Sequence, residues 1–201
     1  MRSDADHPIP TALYYIQNAD SSDAWLATPR GRRDSWSRGV VGAATATPAW
    51  VARLSDGALS LAARKVERVR LDAPNAVFIR DTLINGARRV VLRVFAPRGA
   101  TSVLMRATGA PVLTASIDDR VIDTTRFRYR APFWTMRYWA VPDTGAIVGL
   151  SIPVGAKIDF EVVSRVPGIP TIPGVTLPPR PPYVVPIQDG DVSVVYRKRT
   201  F

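Results

Sequence analysis

The stretch VFIRDTLI-NG-ARRVVLRVF, residues 77–95, decides the architecture. Two strand-like runs, Val77 to Ile84 and Arg88 to Phe95, flank Asn85-Gly86, the dipeptide that supplies the positive φ angles of a type I′ turn. The spacing predicts a β-hairpin. Further along, Lys157-Ile158-Asp159-Phe160-Glu161-Val162 alternates at period two, which puts Ile158, Phe160 and Val162 on one face. Asp118-Asp119 divides Val112–Ile117 from Arg120–Ile122 as a second turn, because Asp bonds its own local backbone. Leu13–Gln17, Val66–Leu71, Ser102–Ala107, Phe133–Val141, Ala146–Ile152 and Val192–Arg199 read as further strands. About ten short strands at this spacing predict an all-β fold. The expected architecture is an antiparallel two-sheet β-sandwich, jelly-roll-like or immunoglobulin-like, with little helix.

The best helical candidate is Ala58 to Lys65, and the stretch from Trp25 to Ala58 has no clean periodicity and reads as loop. Residues 167–186 hold eight prolines, at 167, 170, 173, 178, 179, 181, 182 and 186, so this segment is extended and cannot donate regularly to a ladder. The expected organisation is a flexible N-terminus over 1–10, a β-containing and loop region over 11–63 packed on the sandwich, and the sandwich itself over 64–201, including the Pro-rich connection 167–186.

Composition limits the chemistry. The chain has 201 residues, no Cys and a single His, so cysteine catalysis and thiolate metal sites are excluded. His7 sits beside Pro8 in a polar N-terminus, a poor place for a general base. The only glutamates are Glu67 and Glu161. Asp159 and Glu161 lie two apart on one strand, which is the pattern of a solvated strand face. There is no nucleophile-elbow motif and no phosphate-binding glycine loop. No catalytic residue, cofactor or metal is expected.

The formal net charge is +10, from 27 Lys+Arg against 17 Asp+Glu, and all the basic residues but Lys65, Lys157 and Lys198 are arginines. Most of the excess lies in the middle third, on several predicted strands. A solvated sheet face is the simplest reading. Nucleic acid is not expected as a partner, because no recognition helix is present and a strand can turn only one face to a polyanion. The surface singled out for a ligand or partner combines Arg126, Arg128 and Arg130, which alternate with aromatics, and Trp134 and Trp139 in the aromatic run that follows. Alternation puts Trp134, Met136 and Tyr138 on one face, with Phe133, Arg137 and Trp139 on the other, so part of this set is expected in the core.

Several pieces in order carry a resemblance: Ala12-Leu13-Tyr14-Tyr15-Ile16-Gln17-Asn18-Ala19-Asp20, then Ala24-Trp25-Leu26-Ala27 and Ser35-Trp36, Arg88 to Arg98, Asp118-Asp119, and Trp134 to Tyr138. Pro142 with Gly145, Val162–Pro170, Arg180-Pro181, Pro186 and Tyr196 to Phe201 continue it. Together they resemble the region after the membrane helices in membrane-anchored zinc exopeptidases related to aminopeptidase Y. That family's zinc ligands and general-base glutamate lie in an N-terminal domain without counterpart here, so none of its catalytic residues carries over. The resemblance implies a non-catalytic accessory β-sandwich, structural or partner-binding, whose partner is a membrane-embedded zinc peptidase or another protein domain. The alternative is a free-standing carbohydrate- or polyanion-binding module. No signal peptide or transmembrane segment is read in these residues. The resemblance implies the periplasmic or lumenal side of a membrane; without it the expected location is the cytoplasm. A truncated gene, a split protein and a cloned fragment all fit the sequence.

Overall fold

The structure, a computed structural model, describes residues 6–30, 34–45, 48–54, 60–123 and 133–201. It is an all-β, sandwich-like fold of about 50% strand and 6% helix. The elements in chain order are β1 (Ile9–Thr11), β2 (Tyr14–Asn18), β3 (Ala24–Pro29), α1 (Ser35–Val41), α2 (Ala49–Arg53), β4 (Leu61–Lys65), β5 (Asn75–Ile84) and β6 (Ala87–Phe95). They continue with β7 (Ser102–Thr108), β8 (Thr114–Ile117), β9 (Arg120–Val121), β10 (Trp134–Trp139), β11 (Ala146–Pro153), β12 (Asp159–Pro167), β13 (Val184–Pro186) and β14 (Val192–Thr200). The chain forms two compact units, Met1–Leu71 with Arg165–Val195, and Asp72–Ser164 with Tyr196–Phe201.

The second unit holds the predicted hairpin. β5 and β6 pair antiparallel down to Ile84 opposite Ala87, and Asn85 and Gly86 take φ of 51° and 73°, as a type I′ turn requires. β6 pairs on its other side with β11, and the sheet runs in the order β5-β6-β11-β8-β9. Asp118 and Asp119, at φ of 47° and 62°, make the turn between β8 and β9. The facing strands run β10-β7-β12 and on to β14. Between the layers Val90, Leu92 and Val94 of β6 and Val148, Leu150 and Ile152 of β11 meet Val103 and Met105 of β7 and Ile158, Phe160 and Val162 at β12. All eleven are buried, so the alternation read in 157–162 is the alternation that builds the core.

The first unit contains β2-β3-β4, with β14 beside β2, and a short parallel pair of β1 with β13. Leu13, Tyr15, Leu26, Val40, Val41 and Ile172 form its core. Asp34 caps α1, accepting from Ser37 N at 2.8 Å. Burial acts to raise its carboxyl, but the hydrogen bonds from Ser37 outweigh this and hold it below the usual carboxylate value. The Pro-rich segment is tied down by side chains. Arg180 stacks on Trp36 at 4.2 Å and pairs with Asp191, which also accepts from Leu13 N at 2.9 Å.

Four local expectations are corrected. Within Ala58–Lys65, the best helical candidate, Leu61–Lys65 is β4 and pairs with β3, while residues 55–59 lie outside the described residues. The run from Trp25, expected as loop, contains most of β3 as well as α1 and α2. Every residue of β3 is buried, so it offers no polar alternation to read. Val66–Leu71, expected as a strand, joins no sheet: Val66 N donates to the Ala24 carbonyl of β3 at 3.0 Å, and farther on the Val69 N–H is taken by the Tyr15 hydroxyl at 2.6 Å. Finally, Asp159 is partly exposed as expected, but Glu161 is only 6% exposed and accepts from the Tyr196 hydroxyl at 3.1 Å. Tyr196 itself is buried, so the outward side of the strand is not solvated at that position.

Candidate binding surface

The residues singled out from sequence do not gather into one site. Arg126, Arg128 and Arg130 lie outside the described residues. β10 pairs with β7 in the register Trp134 opposite Ala107 and Trp139 opposite Ser102. Trp134, Met136 and Tyr138 pack against the sandwich core, whereas Trp139 is 50% exposed. The two tryptophans therefore stand on opposite faces of one strand, as their odd spacing requires. Beside Trp139 the Arg137 guanidinium lies 5.7 Å from the ring centroid, and nearby on the same face Arg106 covers Phe133 at 3.8 Å. Tyr138 donates to Asp118 Oδ2 at 3.2 Å, and Asp118 Oδ1 accepts from Ile147 N at 2.8 Å. Desolvation, reinforced by the Asp118 charge, raises the Tyr138 hydroxyl above its ordinary value, so it remains a proton donor to that carboxylate.

A different basic surface stands on the outer side of the five-stranded sheet. Val90, Leu92 and Val94 of β6 are fully buried, so period two turns Arg89, Val91 and Arg93 outward. β5 sets Val77 opposite Arg93, Arg80 opposite Val91 and Thr82 opposite Arg89, which brings Arg80 to the same face. Ile147 of β11 lies opposite Arg93. The only acidic residue in these five strands is Asp81, and it is opposite Val90 and so belongs to the other face, where it pairs with Arg88 at 2.8 Å. The outer face thus carries Arg80, Arg89 and Arg93 with no carboxylate among the strand residues. Arg80 and Arg93 are exposed, and among the described residues no ion pair joins them. Arg89 lies across Gly149 and donates to Ser116 Oγ at 3.1 Å.

Sequence reasoning missed this face because β5 contains a bulge. The register steps from Phe78 opposite Leu92 to Arg80 opposite Val91, leaving Ile79 as the extra residue. Strict alternation would have grouped Arg80 with Phe78, on the inner side. The readable signal was on β6, where Arg89 and Arg93 share a parity opposite to Val90, Leu92 and Val94.

Three arginines on one strand surface can attract carboxylates or phosphates and steer an acidic partner in a salt-sensitive way. They offer no nucleophile and no general base. Among the described residues no group of three or more His, Cys, Asp or Glu is placed to hold a metal ion. Among them, too, no helix is long and apolar enough to cross a membrane, which leaves strand-built spans unaddressed. The class defined by fold and surface is an all-β, sandwich-like protein with a basic sheet face whose strands place no carboxylate on it. No family model, no curated protein and no solved structure matches the chain.

Proposed function

We propose that this chain is a non-catalytic accessory β-sandwich that acts by binding an acidic surface of a partner protein through the outer face of its five-stranded sheet. The observation that carries the reading is the arginine set Arg80, Arg89 and Arg93 on a face whose strands place no acid there. The donor inventory supports the non-catalytic half, since a single histidine and no cysteine leave few groups to hold zinc and activate water. The resemblance in sequence makes the partner the catalytic part of a membrane-anchored zinc exopeptidase.

The test is titration of the purified chain with the catalytic domain of a zinc exopeptidase encoded beside it. Binding is expected to weaken as salt rises, and Arg89→Glu with Arg93→Glu is expected to weaken it by roughly tenfold or more. Binding that is absent, or indifferent to both changes, contradicts the reading. A second reading, carbohydrate recognition, is favoured by the exposed Trp139 beside Arg137. A glycan-array signal lost in Trp139→Ala, with no effect of the two arginine changes, would put that reading first.

A further inference from the structure

The Pro-rich segment is fastened at both ends and displayed in between. Ile172 and Val184 are buried, and each adjoins a turn, one closed by Val175 N donating to the Ile172 carbonyl at 3.1 Å and the other by Val184 N donating to the Pro181 carbonyl at 2.9 Å. Between the turns, Leu177-Pro178-Pro179-Arg180-Pro181 belongs to no strand or helix, and its backbone is restricted almost residue by residue. Proline fixes φ at about −65° at 178, 179 and 181, and a following proline holds 177, 178, 180 and 181 in the extended region. Such a run is a short polyproline II helix of about three residues per turn. That period gives it three edges: Leu177 and Arg180 share one, Pro178 and Pro181 the second, and Pro179 lies on the third. The first is turned to the protein at Arg180, which stacks on the Trp36 ring at 4.2 Å and pairs with Asp191. Trp36 Nε1 also donates to the Pro178 carbonyl at 3.2 Å. Pro178 and Pro179 stand exposed on the other two edges, with Pro181 half-buried and Leu177 at 38% exposure.

We propose that residues 177–181 are a docking ligand for a partner domain that reads polyproline II helices in an aromatic-lined groove, as SH3 and WW domains do. A groove of aromatic rings takes prolines on adjoining edges, and here the two proline edges are the ones that the chain leaves to solvent. The edge it does not leave is used to hold the helix in place. A loose proline segment must be ordered on binding, whereas Trp36 and Arg180 fix this one beforehand, so less affinity is lost to ordering. Arg180 is already paired with Asp191, and recognition therefore rests on Pro178, Pro179 and Leu177 rather than on charge. Binding here should change little with salt, unlike that of an acidic partner on the sheet face.

The test is an array of purified SH3 and WW domains probed with the labelled full chain, followed by calorimetric titration of those that bind. At least one is expected to bind with a micromolar dissociation constant. Pro178→Ala with Pro179→Ala should weaken that binding by roughly tenfold or more, and because both prolines are exposed the variant should keep the parent's circular dichroism spectrum. Trp36→Phe keeps a ring for Arg180 but removes the bond to the Pro178 carbonyl, and should weaken binding by about two- to fivefold. In the parent chain, amide NMR shifts on binding are expected at Leu177 and Arg180. An array on which no domain binds overturns the proposal. So does binding that is undiminished by the double proline change or by Trp36→Phe, or that shifts the amides of β6 instead. Arg89→Glu with Arg93→Glu should leave this binding unchanged, so its failure and that of the acidic-partner reading are distinguishable.

Discussion

Gly149 lies in a strand, where glycine is usually a cost, and its lack of a side chain is what lets Arg89 reach Ser116. A Cβ at this position would stand 2.5 Å from Ser116 Oγ and 3.0 Å from Arg89 Nη2. Gly149→Ala should therefore break that hydrogen bond and destabilise the protein by about 1–2 kcal/mol, the usual range for overpacking. At this chain length that corresponds to a fall of roughly 2–8 °C in Tm by calorimetry. Adding Ser116→Ala removes the closest atom, so the double variant should be more stable than the sum of the singles; strict additivity would contradict the packing account. Tyr15 is the matching case in the other unit. It is fully buried, accepts from Val69 N and donates to Gln17 Oε1 at 3.2 Å. Tyr15→Phe leaves both partners without that hydroxyl, at an expected cost of about 1–3 kcal/mol by urea unfolding. Amide exchange at Val69 should speed up in the same variant. An unchanged Val69 would mean that something other than this hydroxyl holds residues 66–71 in place.

At the scale of elements, β12 and β14 are tied at one end by Asp159, which binds Lys198 at 2.6 Å and accepts from Thr200 Oγ1, also at 2.6 Å. The Lys198 bond, then the Thr200 bond, hold its carboxyl below the ordinary carboxylate value. A carboxyl depressed in this way stabilises the fold fully above its unfolded value, and the contribution is lost as pH falls through the folded one. The drop in stability between about pH 7 and pH 3 should accordingly be smaller in Asp159→Asn than in the parent. Equal drops would contradict the assignment. The elements legible in the sequence were those whose signal is local or periodic. Asn85-Gly86 names its own turn, and 157–162 shows its buried face. Trp134, Met136 and Tyr138 fell on the core side because β10 is regular. β3 was missed because both its faces are covered and polar alternation vanishes, and β4 because Leu-Ala-Ala-Arg-Lys suits a helix until β3 supplies a partner. The basic face was illegible for a third reason. The bulge at Ile79 moves Arg80 across the sheet, and no residue type in Val77-Phe78-Ile79-Arg80 announces a bulge.

At the scale of the whole molecule, the net charge of +10 resolves into arginines with different tasks. Arg88 is spent on Asp81 and on the Ala156 carbonyl, Arg180 on Asp191 and Trp36, and Arg165 donates to the Leu54 carbonyl. Arg80 and Arg93 are exposed on one sheet face, where Arg89 donates to Ser116 Oγ. The proposed non-catalytic role is the central claim. The direct measurement is the zinc content of protein purified without an affinity tag, taken together with hydrolysis of aminoacyl substrates by the same preparation. The account predicts substoichiometric zinc and hydrolysis at the blank rate, unchanged by a chelator. One tightly bound zinc per chain, with turnover that the chelator abolishes, would contradict it.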